Sequence, residues 1–154
     1  MQTFLPYPSF TQSARVLDRQ RLGKQRVEGM QILKVLLGLG KVNKNGTVAW
    51  SNHPAVKMWA GYEKCLIQYT RAICDEWMAR GYKDTVKEKI RNMWNENRST
   101  AWDVGIKTPW WFGLDEFHSA HRQTLLEKDP THYGQFKWKE KPKYEYWWPT
   151  EHEE

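Results

Sequence analysis

The sequence predicts an all-α protein: one compact domain, residues 1–154, with three main helices joined by aromatic-rich loops. An apolar stripe that recurs every three or four residues from Ala55 to Trp77 is its strongest helical pattern. Gly81 and the pair Asp129-Pro130 follow predicted helices, and such residues typically end them. A length of 154 residues fits a single domain, and no repeat or linker divides it.

The first helix is predicted for residues 9–37. Ser9 or Thr11 supplies a capping side chain, and Gly38 and Gly40 follow its end. Residues 41–51 contain the pair Asn45-Gly46 and predict a turn or a short hairpin.

The second helix is predicted for residues 54–81, since Pro54 suits a first helical position. Asp84 then caps a shorter helical segment with Val86, Ile90, Met93 and Trp94 on one side. The polar, Trp-rich residues 95–113 predict an ordered loop around Trp102, Pro109, Trp110 and Trp111.

The third helix is predicted from Leu114 or Asp115 to Lys128. Residues 136–149 are aromatic, rich in lysine and irregular, and residues 146–154 are expected to form a frayed acidic tail. Of the adjacent pairs Trp110-Trp111 and Trp147-Trp148, at most one member each is expected to be fully buried, because neighbouring side chains diverge.

Composition argues against membrane and disordered classes of protein. The chain is 40% hydrophobic and 27% charged, with a mean hydropathy of −0.85. No apolar run approaches the roughly 20 residues that span a bilayer, and the first residues lack the regions of a signal peptide. We therefore expect a cytoplasmic protein with no membrane partner. Cys65 and Cys74 are expected to be free thiols, because nine helical residues separate them by about 13 Å.

Positive charge is concentrated near the amino terminus. Residues 1–60 contain nine Lys or Arg but only two acids, Asp18 and Glu28, whereas the formal charge of the whole chain is +6. This imbalance indicates a partner of high negative charge density, a nucleic acid first and an anionic lipid surface second. Ten tryptophans add flat faces that anchor a core or stack on bases.

The densest basic segment provides five candidate phosphate-binding residues: Arg15, Arg19, Arg21, Lys24 and Arg26. Such a segment forms either a solvated helix face or a surface that grips consecutive phosphates, and the scarcity of acids favours the second. Gly23 weakens the helix that contains it, which close approach of a ligand or close packing of another helix would explain.

Histidines and carboxylates provide further candidates. His118 and His121 are neighbours on the third helix and could ligate a metal, bind a phosphate or carboxylate, or serve the structure. With no HExxH motif or cysteine cluster, we assign no metal and no cofactor. His53 precedes Pro54 and either starts the helix or faces a ligand, and Glu63 is a candidate rim carboxylate.

Several segments in order resemble the pyrimidine-dimer DNA glycosylase (endonuclease V) family. Residues 17–25 resemble its Leu-x-x-x-Arg-Glu-x-Leu-x-x-Gln pattern, and residues 62–85 resemble its long middle helix with a following Asp-Thr. Residues 122–133 are similar to its last helix and Pro-Thr-Trp-Tyr corner. A bacterial and phage branch is closer, with Leu-Asp-x-x-Arg-Leu-Gly-Lys-Gln-Arg-Val-Glu, Asn-His-Pro-Ala-Val and Phe-His-x-x-His-Arg stretches.

The resemblance implies a small all-α enzyme that bends double-stranded DNA, damaged or modified, and extrudes a nucleotide. In the family an N-terminal amine attacks the sugar C1′ and a glutamate of the first helix assists strand cleavage. Here Gln2 predicts that Met1 is retained and supplies the amine, and Gln20 stands where the family has its glutamate. Asp18 and Glu63 are the carboxylates that could replace that glutamate.

These observations favour a DNA glycosylase or glycosylase/AP lyase that acts as a monomer. The catalytic candidates are Met1, Asp18, Gln20, Glu63, His118 and His121. The DNA-binding candidates are Thr3, Arg15, Arg19, Arg21, Lys24, Arg26, His53 and Arg122. One alternative is a base-modifying transferase or hydrolase that uses Asp18, Glu63 and the two histidines. The other is a non-catalytic module that binds distorted duplex DNA.

Overall fold

The structure, a computed structural model, describes residues 1–98 and 105–152. Its α-helices are α1 (Phe10–Val16), α2 (Arg19–Leu36), α3 (Pro54–Lys57), α4 (Glu63–Ala79), α5 (Val86–Asn97), α6 (Asp115–Lys128) and α7 (Pro130–Tyr133). The described residues also form two 3₁₀ helices, Gly134–Phe136 and Pro149–Glu151. Over the described ranges the one β feature is an antiparallel bridge between Val42 and Val48. The all-α prediction is therefore confirmed, as is the turn or short hairpin of residues 41–51.

The predicted first helix is wrong in one respect, because it is two helices. Leu17 and Asp18 are extended, with ψ of 137° and 158°, so α1 ends at Val16 and α2 starts in a new direction. Asp18 is the N-cap of α2, and its carboxylate accepts a hydrogen bond from the Arg21 backbone N–H at 3.2 Å. Arg15 therefore does not share a helix with the other four cations.

The predicted second helix is also divided. His53 caps α3 and Pro54 occupies its first turn, but the chain leaves the helix after Lys57. Gly61 has a φ of +85°, a left-handed conformation that favours glycine, and α4 starts only at Glu63. The shorter segment after Asp84 and the third helix are close to their predicted bounds, as α5 and α6. The loop predicted around Trp102 lies partly outside the described residues, as do Glu153 and Glu154 of the acidic tail.

Helix α4 is central to the fold and packs against α1, α2 and α5. Two glycines of α2 allow that approach: a Cβ on Gly29 would lie 2.2 Å from Thr70 Oγ1, and one on Gly23 would lie 3.0 Å from the Trp77 ring. Close helix packing, rather than a ligand, thus explains Gly23.

Large aromatic side chains fill the interior. Trp59, Tyr69, Trp111, Phe117 and Tyr133 are fully buried, and the Trp59 and Trp111 rings meet edge to face at 5.0 Å. Trp110 is exposed beside buried Trp111, as their adjacency predicts. Cys65 and Cys74 are buried free thiols. No helix in the described part of the chain has the length and apolar character needed to cross a membrane.

Candidate active site at the amino terminus

The amino-terminal segment, residues 1–6, is held in an extended path by side chains from several helices. His121 Nδ1 accepts a hydrogen bond from the Leu5 backbone N–H, and the Leu5 carbonyl lies at the same 2.7 Å from His118 Nδ1. Because His118 Nε2 accepts from the Gly113 N–H at 2.9 Å, its Nδ1 carries the proton and donates to Leu5. The two histidines therefore clamp one residue of this segment.

This clamp supports the structural role among those that the sequence left open for His118 and His121. Both are buried, and burial lowers the pKa of His121 to about 3 and that of His118 below its ordinary value. Over the described residues, no three His, Cys, Asp or Glu side chains are grouped to hold a metal ion.

Two predicted DNA-binding residues also serve the amino-terminal segment. Arg122 donates to the Pro6 carbonyl at 2.7 Å and forms a bidentate pair with Glu140, whose shorter bond is 2.8 Å. Thr3 is fully buried, and its hydroxyl oxygen accepts from the Trp59 indole N–H at 3.0 Å. Neither side chain is available to a phosphate, so both are removed from the predicted interface.

Gln25 of α2 joins this segment to a carboxylate. Its amide oxygen accepts hydrogen bonds from the Phe4 N–H at 2.9 Å and the Tyr69 hydroxyl at 2.7 Å. Its amide nitrogen donates to the Gln2 carbonyl at 2.9 Å and to Glu28 at 2.8 Å. Burial, helped by the negative charge of Glu28, raises the pKa of Tyr69 well above its usual range, so its hydroxyl remains a donor. All four bonding positions of the Gln25 amide are used, which holds Glu28 in one orientation.

A pocket of about 250 Å³ lies over this junction, lined in part by Met1, Gln20, Arg21, Lys24 and Glu28. Its volume suits a sugar or a single base rather than a large ligand. The Glu28 side chain is 11% exposed, and its nearest cation, Lys24, is 3.8 Å away and mostly solvated. Within the described residues the Met1 α-amine makes no ion pair. Met1, which carries the α-amine, and Glu28 therefore line the same small concavity.

His53 lies close enough to the amino terminus to sense its charge. Burial and the positive charge of the Met1 amine both lower the pKa of His53. Its Nδ1 accepts a hydrogen bond from the Ala55 N–H at 3.0 Å, so the neutral ring carries its proton on Nε2. His53 is thus the cap of α3, as one of its two sequence interpretations expects, and its role toward a ligand stays a prediction.

The other predicted carboxylates do not line the pocket. Asp18 caps α2 and is held by Arg21 at 3.2 Å and by a short hydrogen bond from Tyr133. Burial alone would raise the pKa of Asp18, but these hydrogen bonds outweigh it and hold the pKa below its ordinary value. Glu63 accepts from the Gly61 N–H at 3.0 Å and stabilises the turn before α4. Gln20 does line the pocket, but its amide cannot take up and release a proton as a carboxylate does.

The basic residues are divided between surfaces. Arg19 is exposed, with its guanidinium 5.6 Å from the Tyr82 ring centroid, and Arg21 and Lys24 line the pocket. Arg15 lines a separate open groove between α1 and α4 with Arg71. The pocket therefore has cations on one rim, and Arg15 lies outside it.

Arg26 forms an internal ion pair with Asp84 and is not a surface cation. It bonds the fully buried carboxylate of Asp84 at 2.6 Å, and its guanidinium lies 4.5 Å from the Trp77 ring centroid. Its Nε atom is buried with no hydrogen-bond partner in the described structure. We remove Arg26 from the predicted phosphate-binding set, because its charge is already compensated.

Glu28 and Gln25 are the site residues that sequence reasoning missed. Gln25 follows Arg21 by four residues, and Glu28 follows Lys24 by four and Gln25 by three, so the four residues share one face of α2. The useful signal was a single acid on that face within a strongly basic helix.

Comparison with known proteins shows the family of the chain. A family model described as pyrimidine dimer DNA glycosylase matches residues 1–89, more than half of the chain. No curated protein and no solved structure matches the sequence. The matched region contains the amino-terminal segment, Gln25, Glu28 and His53, and the match confirms the resemblance read from the sequence motifs. The match supports, at a general level, a glycosylase-type enzyme of DNA repair that acts on DNA. The chain belongs to the pyrimidine dimer DNA glycosylase family.

Proposed function

We propose that the protein is a DNA glycosylase and AP lyase whose nucleophile is the Met1 α-amine and whose catalytic carboxylate is Glu28. The observation that carries the proposal is the Gln25 amide, which bonds the Gln2 carbonyl at 2.9 Å and the Glu28 carboxylate at 2.8 Å. One buried side chain thereby ties the nucleophile's own segment to the carboxylate. Such fixed geometry is what a reaction between positioned groups requires.

In the proposed reaction the neutral amine of Met1 attacks C1′ of an extruded nucleotide. The C1′–N glycosidic bond breaks, and the base leaves with the bonding pair and takes a proton from water. Glu28 accepts the proton that the amine loses on attack. It returns this proton to O4′ when the C1′–O4′ bond breaks, and the nitrogen lone pair then forms the C1′=N bond of an imine. The carboxylate then removes a C2′ proton, and the 3′ C–O bond breaks with phosphate as the leaving group. Water hydrolyses the imine and frees Met1.

The pocket rim supplies the phosphate contacts of this proposal. Arg21 and Lys24 line the pocket with Lys128, and Arg19, two residues before Arg21 on α2, is exposed outside the pocket. These cations suit the phosphates on either side of an extruded nucleotide, and their contribution to affinity should fall steeply with salt. Arg15, in the separate groove, has no part in this set.

The alternative of a base-modifying enzyme has lost its support. It relied on His118 and His121 as acid and base, but their bonds to the Leu5 backbone at 2.7 Å occupy one ring nitrogen each, and Gly113 occupies the second of His118. Asp18 and Glu63 are likewise engaged in caps and turns.

Borohydride trapping on duplex DNA with one aldehydic abasic site tests the proposal. We expect a covalent adduct whose DNA remnant maps, by mass spectrometry of peptides, to the amino-terminal peptide at Met1. Glu28→Gln should still form the adduct, because imine formation on a free aldehyde needs no C2′ proton transfer. Its strand cleavage should fall at least about a hundredfold, the usual contribution of a general base.

Glu63→Gln is the matched control, since it changes a glutamate of another helix outside the pocket. It should trap and cleave as the wild type does. An adduct on a lysine would contradict the assignment of the nucleophile. DNA binding without any adduct would leave the non-catalytic module as the remaining function.

A further inference from the structure

Trp50 combines a strained backbone with an exposed ring. Its φ is +70°, in the left-handed region where a bulky residue is unfavourable. Trp50 comes after the Val42–Val48 bridge in the chain, and it is 61% exposed to solvent. Burial of the indole therefore does not offset the backbone strain. Exposed aromatic side chains held in strained positions are typical of functional surfaces rather than of folding.

Aromatic rings connect Trp50 to the pocket. The Trp50 and His53 ring centroids are 5.9 Å apart, and so are those of His53 and Trp148. Trp148 stacks on Tyr146 at 6.1 Å with an interplanar angle of 16°. Tyr146 is 47% exposed and lines the pocket together with Met1 and Glu28. We call these four residues, Trp50, His53, Tyr146 and Trp148, the aromatic rim.

The charge around the aromatic rim favours nucleic acid over a protein partner. Residues 41–57 carry Lys41, Lys44 and Lys57 and no acid. Lys128 also lines the pocket. Flat aromatic faces between cations match the alternation of bases and phosphates along a DNA strand.

We propose that Trp50, Tyr146 and Trp148 form a stacking surface for an unpaired nucleobase of the bound DNA. The inference rests on the proposed function, because it places this base beside the sugar that Met1 attacks. Extrusion removes a base from its stack in the duplex, and the exposed rings replace that lost stacking. Stacking depends on the face of a base and not on its edge, so the surface accepts any of the four bases.

The test compares two single-stranded oligomers of equal length and charge: oligothymidylate and a chain of tetrahydrofuran abasic units. The wild type should bind oligothymidylate more tightly, and Trp50→Ala should reduce that preference about tenfold, within the range of one stacking contact. Trp50→Gly should lose the preference equally, and its folding is protected because glycine accepts the positive φ. Trp50→Phe should retain most of it.

Trp110→Ala is the matched control, because Trp110 is also exposed but lines neither the pocket nor the aromatic rim. A base preference in Trp50→Gly equal to that of the wild type overturns the proposal, as does an equal loss in Trp110→Ala. Trapping of the wild type on abasic duplex DNA separates the two proposals. An adduct with no effect of Trp50 on base preference removes the stacking surface alone, whereas a Trp50-dependent preference without an adduct removes only the chemistry.

Discussion

Replacing Gln25 by alanine should damage both the stability of the protein and its candidate site. Gln25 is 1% exposed, and truncation leaves the Phe4 N–H and the Gln2 carbonyl without their partner. Each orphaned buried polar group costs about 1–3 kcal/mol, so we expect a loss of about 4 kcal/mol in the free energy of unfolding. Tyr69 loses less, because its hydroxyl also donates to the Phe4 carbonyl at 3.0 Å. For a chain of this size the melting temperature should fall by about 8–16 °C.

Gln20→Ala is the matched control for that measurement. Gln20 lies on the same helix and lines the same pocket, but it is exposed, so its removal should change the free energy of unfolding by less than about 0.5 kcal/mol. Urea denaturation followed by circular dichroism measures both variants. Gln25→Glu should also lower the free energy of unfolding, because a carboxylate oxygen would replace the amide nitrogen and repel Glu28. If Gln25→Ala unfolds within about 1 kcal/mol of Gln20→Ala, the argument that Gln25 organises the amino terminus is refuted.

Three further predictions concern packing, pH and charge. Gly29→Ala should destabilise the fold by about 1–3 kcal/mol, because its Cβ would lie 2.2 Å from Thr70 Oγ1, and Thr70→Ala should restore part of the loss in a double-mutant cycle measured in urea. The pKa of His121 is about 3 in the fold against an ordinary 6.5, so the unfolded chain binds the extra proton. Stability should therefore be complete above pH 6.5 and fall toward pH 3 by up to about 1.4 kcal/mol per pH unit for this one group, a slope that His121→Gln should reduce in melts across that window. Arg26→Met should cost about 3–5 kcal/mol by leaving the Asp84 carboxylate buried and unpaired, whereas a melting temperature equal to that of the wild type would show that the pair is solvated.

Local patterns predicted the elements whose ends are set by nearby residues. The bounds of α6 follow from its own periodicity and from Asp129-Pro130, and the hairpin follows from Asn45-Gly46. The breaks at residues 17–18 and 58–62 were missed. Asp18 turns the chain by capping α2 while Tyr133, distant in sequence, bonds it, and Gly61 acts through its φ of +85°. The apolar periodicity continues across both breaks and therefore gives no sign of them.

The structure brings some of the predicted site residues together and separates others. Met1, Gln20, Arg21 and Lys24 do line one pocket, because a basic helix face is visible in its own spacing. Whether a given cation is available depends on contacts across the fold. Arg26 is paired with Asp84 and Arg122 with Glu140, and neither partner could be chosen from the sequence. The same holds for the two histidines, whose ring nitrogens bond a residue more than a hundred positions away.

Sequence alone determined the helical class, the excess of positive charge near the amino terminus and the family. These properties depend on which residues follow one another, and hydrophobic spacing and charge are additive along a chain. Only the tertiary structure decided which groups remain available for chemistry. Burial and hydrogen bonding engage most of the candidate acids, bases and cations, and the packing of the fold leaves Met1 and Glu28 among the residues that line one pocket.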